Sequence, residues 1–145
     1  MTQERLYRGG NYEGHGYDLW QTPLEVLKPL EREFGELYDP CPPNWDGEVD
    51  GLAIDWPLDR ACFVNPPYSQ MVKWVEKCAE QAGRGCTVLL LIAPRTDTRY
   101  FHKHIYGQAR LRFFKGRIKF RDGRAPDDKP KPAPFPSMLC IWGIG

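Results

Sequence analysis

Cys62-Phe63-Val64-Asn65-Pro66-Pro67-Tyr68-Ser69 is the stretch whose reading decides the fold. Cys62 to Val64 are apolar, β-prone and too few for a helix, and two prolines follow almost at once. Prolines lack an amide proton and fix φ, so a buried strand must end here and deliver Asn65 to its carboxyl end. Beyond them Ser69 is placed to cap a helix in which Met71, Val72, Trp74, Val75, Cys78 and Ala79 recur at helical spacing. A side-chain amide, a rigid turn and an aromatic ring are thus gathered at a strand-to-helix junction, where open α/β sheets bind their ligands.

Outward from this turn the chain reads as further strand and helix material. Cys86 to Ala93 is eight residues without a charge, stopped by Pro94, and suits a strand buried on both faces of a parallel sheet. Glu36 to Asp39 is a short strand ending in Asp39-Pro40, and Ala53-Ile54 is another apolar run ending in Asp55. Ala109 to Phe114 alternates like a strand, and Gly116 predicts that Arg117 to Phe120 turns back on it as a closing hairpin. Ser137 to Trp142 is the final buried strand. Thr22 and Pro23 predict a helix start, with Leu24, Leu27, Leu30 and Phe34 as its apolar stripe and Pro29 producing a kink or two short pieces. Thr96 or Asp97 caps a further helix over Arg99 to Tyr106. The expectation is an α/β fold, mostly parallel, with helices on both faces and an antiparallel strand at the carboxyl end.

At 145 residues the chain has room for one such domain, 17–145, behind a polar, glycine-bearing arm, 1–16, read as flexible. Asp122 to Pro136 holds five prolines and predicts a mobile loop, part of a basic, proline-rich segment around 121–136. No run approaches the roughly 18 apolar residues of a membrane span, and the first residues have no apolar signal core, so a soluble protein of the cytoplasm is expected. Five cysteines without a C-x-x-C pair read as small buried residues. No metal is expected: His102 and His104 lie on different faces of their helix, and the acids among residues 44–52 lack the ligand series of a calcium loop. The net charge of +1 conceals a division, with 7 basic and 15 acidic side chains in residues 1–80 and 13 basic and 4 acidic in 81–145. Nine of the basic residues fall between Arg110 and Lys131, interleaved with Phe113, Phe114, Ile118 and Phe120, which suits a polyanion.

The Asn-Pro-Pro-Tyr turn suits methyl transfer to a planar, weakly nucleophilic nitrogen. The lone pair of an exocyclic amino group is delocalised into its ring. Two acceptors aimed at its hydrogens, the Asn65 side-chain oxygen and the Pro66 carbonyl, favour the pyramidal form that attacks. Pro67 removes a competing donor, and Tyr68 would stack on the base, a contact worth roughly 1 to 3 kcal/mol. At the ends of their runs, Asp39 and Asp55 are candidates to bind the polar groups of a methyl donor, although no G-x-G turn follows the Glu36 to Asp39 strand.

The turn resembles the (D/N/S)PP(Y/F/W) motif of amino-methyltransferases that use S-adenosylmethionine. Asp18-Leu19-Trp20-Gln21-Thr22-Pro23, Tyr38-Asp39-Pro40-Cys41, Ile54-Asp55-Trp56, Arg95-Thr96-Asp97-Thr98 and Gly116-Arg117-Ile118-Lys119-Phe120 accompany it. In that order they are similar to the phage Dam-like DNA adenine-N6 methyltransferase family over roughly residues 17 to 143. The resemblance implies a minimal Rossmann-like class I methyltransferase fold, with S-adenosylmethionine as methyl donor and Asn65, Pro66, Pro67 and Tyr68 as the catalytic turn. It implies cofactor contacts from Trp20, Thr22, Asp39, Pro40, Asp55 and Asn65. Duplex DNA with a flipped adenine is the expected partner, contacted by Arg95, Lys115, Arg117, Lys119, Arg121 and Arg124. With no room for a separate recognition domain, target choice falls to short loops, a homodimer or a partner. RNA adenine, protein glutamine and a non-catalytic nucleic-acid-binding role for the same fold remain alternatives.

Overall fold

The computed structural model describes residues 20–42, 50–122 and 130–143. In chain order its elements are β1 (Trp20–Gln21), α1 (Leu24–Phe34), β2 (Leu37–Tyr38), β3 (Ala61–Val64) and α2 (Met71–Gly83). After these come β4 (Val88–Ile92), a π-helical segment (Phe101–Ile105), β5 (Arg110–Phe113), β6 (Lys119–Asp122), β7 (Lys131–Pro132) and β8 (Met138–Trp142). Among the described residues no helix is long and apolar enough to cross a membrane.

The uncharged run at 86–93 forms β4, the middle strand of a five-stranded sheet ordered β2–β3–β4–β8–β5. Strand alternation sorts its side chains onto two faces. Val88, Leu90 and Ile92 share one core with Cys62, Val64, Met138 and Cys140, covered by Trp74, Val75 and Cys78 of α2 and by Phe101 and Ile105. Leu89 and Leu91 share the other with Phe63, Leu139 and Ile141, covered by Leu30 of α1 and by Ile118, Phe120, Ala133 and Phe135. Each fully buried aliphatic side chain stabilises this arrangement by roughly 1.5 to 3 kcal/mol. Helices therefore lie on both faces, and all five cysteines are buried and free.

The sheet is mixed, with the expected antiparallel strand at the carboxyl end set between two others instead of at an edge. β2, β3 and β4 run parallel, whereas β8 enters between β4 and β5 and is antiparallel to both. The physical reason lies in where the chain leaves and returns. Phe113, the last residue of β5, and Ile92, the last of β4, both pair with Met138, the first of β8. The excursion over residues 114–137 thus begins and ends at the carboxyl ends of the parallel strands, and a chain returning from that end can only run antiparallel.

The expected closing hairpin does not form, because β6 leaves the main sheet. It pairs with β1 (Trp20 with Asp122, Gln21 with Arg121) and with β7 (Lys119 with Pro132, Phe120 with Lys131), building a small antiparallel sheet β1–β6–β7. Gly116, at φ 76°, supplies the left-handed turn that redirects the chain, and burial of Ile118 and Phe120 holds the new course. Within the stretch read as a loop from Asp122 to Pro136, Ala133 and Phe135 are buried, and residues 123–129 lie outside the described residues.

Local helix signals were shifted rather than absent. α1 starts at Leu24, with Pro23 as the flanking residue and no side-chain cap, so Thr22 does not cap it. It continues as one element through Pro29. Pro29 and Glu25 are exposed, so water can serve the Glu25 carbonyl that loses its partner. Ser69 falls inside a 3-10 turn, Tyr68–Gln70, and Gln70 precedes α2. The segment after Pro94 is capped by Thr98, not Thr96 or Asp97: the Thr98 hydroxyl accepts from Phe101 N at 3.3 Å and donates to Arg95 O at 2.8 Å.

Gly51 packs so closely that a Cβ there would overlap the Pro40 carbonyl oxygen. Its own carbonyl accepts from Trp56 Nε1 at 2.9 Å. Gly51→Ala is expected to destabilise the fold by about 1 to 3 kcal/mol, read as a lower urea midpoint at unchanged slope; an unchanged midpoint would mean the two segments are not in contact.

Candidate active site

β3 ends at Val64 because Pro66 and Pro67 cannot continue a ladder, and Asn65 emerges at its carboxyl end with both prolines buried behind it. The half-buried Asn65 side chain is held from across the chain. Its Nδ2 donates to Thr22 Oγ1 at 3.1 Å and lies 3.5 Å from the Trp20 carbonyl oxygen. A backbone carbonyl only accepts, so the atom facing it is the amide nitrogen. Oδ1 makes no hydrogen bond among the described residues.

Beside Asn65 opens a cleft of about 330 Å³ between β1, α1, β2 and β3. Its lining divides by chemistry. Glu31 and Asp39 supply carboxylates; Gln21, Thr22 and Asn65 supply neutral polar groups; Leu27, Leu37, Phe63 and the Trp20 ring are apolar. Asp39 Oδ1 accepts from Cys41 N at 2.8 Å, so the side chain builds the bend after β2 where a glycine-rich turn is missing. A ligand that carries both a cationic group and an apolar ring matches the chemistry of this lining. Cys62 in β3 offers no thiolate here, since burial pushes its thiol up to about 12.

Trp20 ties the cleft to an aromatic cluster. Trp20 stacks on Phe120 with centroids 4.7 Å apart and planes 15° from parallel. Phe135 lies 6.0 Å from Trp20 and 5.3 Å from Tyr68, and the Arg95 guanidinium stands 5.9 Å above the Phe135 ring. Sequence reasoning missed Phe135 because the prolines around it pointed to a loop. The available signal was Ala133 and Phe135, two residues apart among exposed prolines and pointing to one buried face.

The structure therefore brings Trp20, Thr22, Asp39, Asn65 and Tyr68 together, with Arg95 at the rim. Pro40 is buried behind Asp39, against Gly51. Asp55 is not brought to the cleft. Residues 51–54 form a turn rather than a strand, and Asp55 accepts from Gln81 Nε2 at 3.0 Å and pairs with Arg84 at 3.6 Å. Gln81 lies near the end of α2, roughly 15 Å along the axis from the helix start beside Asn65. Of the basic residues, Lys115, Lys119 and Arg121 are exposed on the excursion beside the site. Arg117 donates to the Ala133 carbonyl at 3.3 Å. Arg124 lies outside the described residues.

Residues 10–143 match the family described as DNA N-6-adenine-methyltransferase (Dam). The chain belongs to this family. It is similar to a DNA N-6-adenine-methyltransferase of Escherichia phage T1, 30% identical over 107 residues covering 67% of this chain. The match takes in 44% of that relative, so the chain spans under half its length. The Dam family match begins upstream of β1 and runs through β8, so the cleft, the Asn-Pro-Pro-Tyr turn and the basic excursion all fall inside it.

Because Phe135 fixes the end of the excursion against Tyr68 and Trp20, Phe135→Ala is expected to cost about 3 kcal/mol of stability. Chemical denaturation checks it, and a loss below 1 kcal/mol would place the ring at the surface.

Proposed function

We propose that this protein methylates the exocyclic N6 amino group of adenine in DNA, with S-adenosylmethionine as donor. The observation that carries the reading is Asn65. Its amide oxygen, without a hydrogen-bond partner among the described residues, stands at a strand end on the lining of a ligand-sized cleft. The α/β fold supports it: β2, β3 and β4 run parallel with β8 inserted antiparallel beside β4, which we read as a minimal form of the Rossmann-like arrangement expected of class I methyltransferases.

The cleft's chemistry fits the donor, which supplies a methyl group activated on a sulfonium. Asp39 and Glu31 carry the charge to hold its cationic groups, and Trp20, Leu27, Leu37 and Phe63 offer apolar surface to its purine. Asn65 Oδ1 and the Pro66 carbonyl accept hydrogen bonds from the adenine amino group and stabilise the positive charge that develops on its nitrogen. Tyr68 restores stacking lost when the base leaves the duplex. Lys119 and Arg121, on β6 next to β1, are placed to meet phosphates, which position the duplex without reading its sequence.

Incubation with labelled S-adenosylmethionine and unmethylated duplex DNA, single-stranded DNA or RNA, followed by nucleoside analysis, tests this directly. The expected product is N6-methyladenine from DNA. Label only in RNA would change the acceptor, and label only in protein would move the reading to an amide substrate. Asn65→Ala should lower turnover roughly a hundredfold, corresponding to about 3 kcal/mol, with little change in cofactor affinity; near-normal turnover would remove Asn65 from the chemistry.

The phosphate contacts have a separate signature. Lys119→Ala combined with Arg121→Ala should flatten the dependence of log affinity for DNA on log salt by about 2. An unaltered slope would place both side chains away from the backbone.

A further inference from the structure

We infer that Thr22 is a positioning residue for Asn65: its hydroxyl holds the amide nitrogen, so that the amide oxygen is the atom presented to the acceptor. This rests on the function proposed above and replaces the cofactor contact expected of Thr22 from sequence. A primary amide has nearly the same shape in its two orientations, and an unrestrained Asn65 could present either NH2 or oxygen. Presented as NH2, it would set donor against donor at an amino-group substrate. The 3.1 Å contact of Nδ2 with Thr22 Oγ1 and the 3.5 Å approach to the Trp20 carbonyl leave only the oxygen outward.

Thr22 is itself fixed from both sides. Before it, β1 is hydrogen-bonded to β6 and Trp20 stacks on Phe120. After it, Pro23 has φ −71° and ψ 155°, and its carbonyl accepts from Val26 and Leu27 at the start of α1. The Thr22 hydroxyl is not used to cap α1, since no side chain caps that helix. Its lone pairs are therefore free for Asn65, and the tie spans 43 positions of sequence.

Thr22→Val keeps the shape and deletes the acceptor; Thr22→Ser keeps the acceptor. The first readout is the Asn65 side-chain amide pair in a nitrogen–proton NMR spectrum, assigned by its absence in Asn65→Ala. In the unsubstituted protein one of its protons should be protected from solvent exchange. Thr22→Val should shift the pair and remove the protection, and Thr22→Ser should retain it. The second is single-turnover methyl transfer to DNA at saturating S-adenosylmethionine, alongside cofactor affinity by calorimetry. Thr22→Val should slow transfer about tenfold with the cofactor Kd changed less than about twofold, and Thr22→Ser should recover most of the rate. An unmoved Asn65 signal in Thr22→Val overturns the inference whatever the activity. So does a weakened Kd with an unchanged saturating rate, which would make Thr22 a cofactor ligand. Failure of the unsubstituted protein to methylate any adenine overturns the functional reading, and with it the positioning role, in an arm that involves no Thr22 variant.

Discussion

Five consecutive residue pairs, Val88 with Trp142 through Ile92 with Met138, hold β8 antiparallel to β4. They also decide where the second half of the chain must pass. With β8 read from Met138 at the carboxyl end of β4, the stretch after β5 cannot cross behind the sheet as a helix would. It must loop over the mouth where Asn65 emerges. β6 and β7 form within that loop, and β6 finds its neighbour in β1, the strand that reaches Asn65 through the Trp20 carbonyl and Thr22. The site is therefore flanked by β1 and β6, about a hundred residues apart in sequence, meeting beside the turn that carries Asn65. Burial of β4 on both faces makes that meeting stable, because Leu89 and Leu91 support the same core into which Phe120 and Phe135 pack.

This geometry converts a division of charge along the chain into one in space. The acidic first half supplies Glu31 and Asp39 to the cleft, and the basic second half supplies Lys115, Lys119 and Arg121 to the exposed surface beside it. On the proposed reading, a cationic donor and a polyanionic acceptor are attracted to adjoining places by opposite fields. Neither carboxylate needs to act on the transferred group, since the amide at Asn65 provides acceptance without charge. A carboxylate in its place would face the Trp20 carbonyl, which has no proton to give.

Much of this was legible in sequence where hydrophobic runs are long and end sharply. β3, β4 and β8 are visible as apolar stretches, and the Asn-Pro-Pro-Tyr turn is visible because two prolines leave no other way out of a strand. Pairing was not legible. Nothing local in Lys119 to Asp122 distinguishes a partner in β5 from one in β1, and the choice is made by which face can bury Ile118 and Phe120. Asp55 shows the same limit: Ala53-Ile54 resembles a strand end, yet the segment turns because Trp56 must reach Gly51 O and Gln81, 2.9 Å and 2.8 Å away. Thr22 and Ser69 have the composition of caps. Thr22 serves Asn65 instead, a partner 43 residues distant that no local pattern encodes.

The missing glycine-rich turn after β2 has a physical counterpart on the other side of the backbone. Such turns let main chain approach a ligand closely because no Cβ intervenes. Here the bend is made by the Asp39 side chain, whose carboxylate takes the Cys41 amide at 2.8 Å, and by Pro40, whose ring fixes φ. The close approach that only glycine permits occurs behind the turn, where Gly51 meets the Pro40 carbonyl. Gly51 is in turn held by the buried indole of Trp56. The floor of the cleft is thereby supported from the core rather than drawn toward the ligand. A side-chain carboxylate lines the cleft where other folds present bare backbone, which on the proposed reading meets the cationic donor.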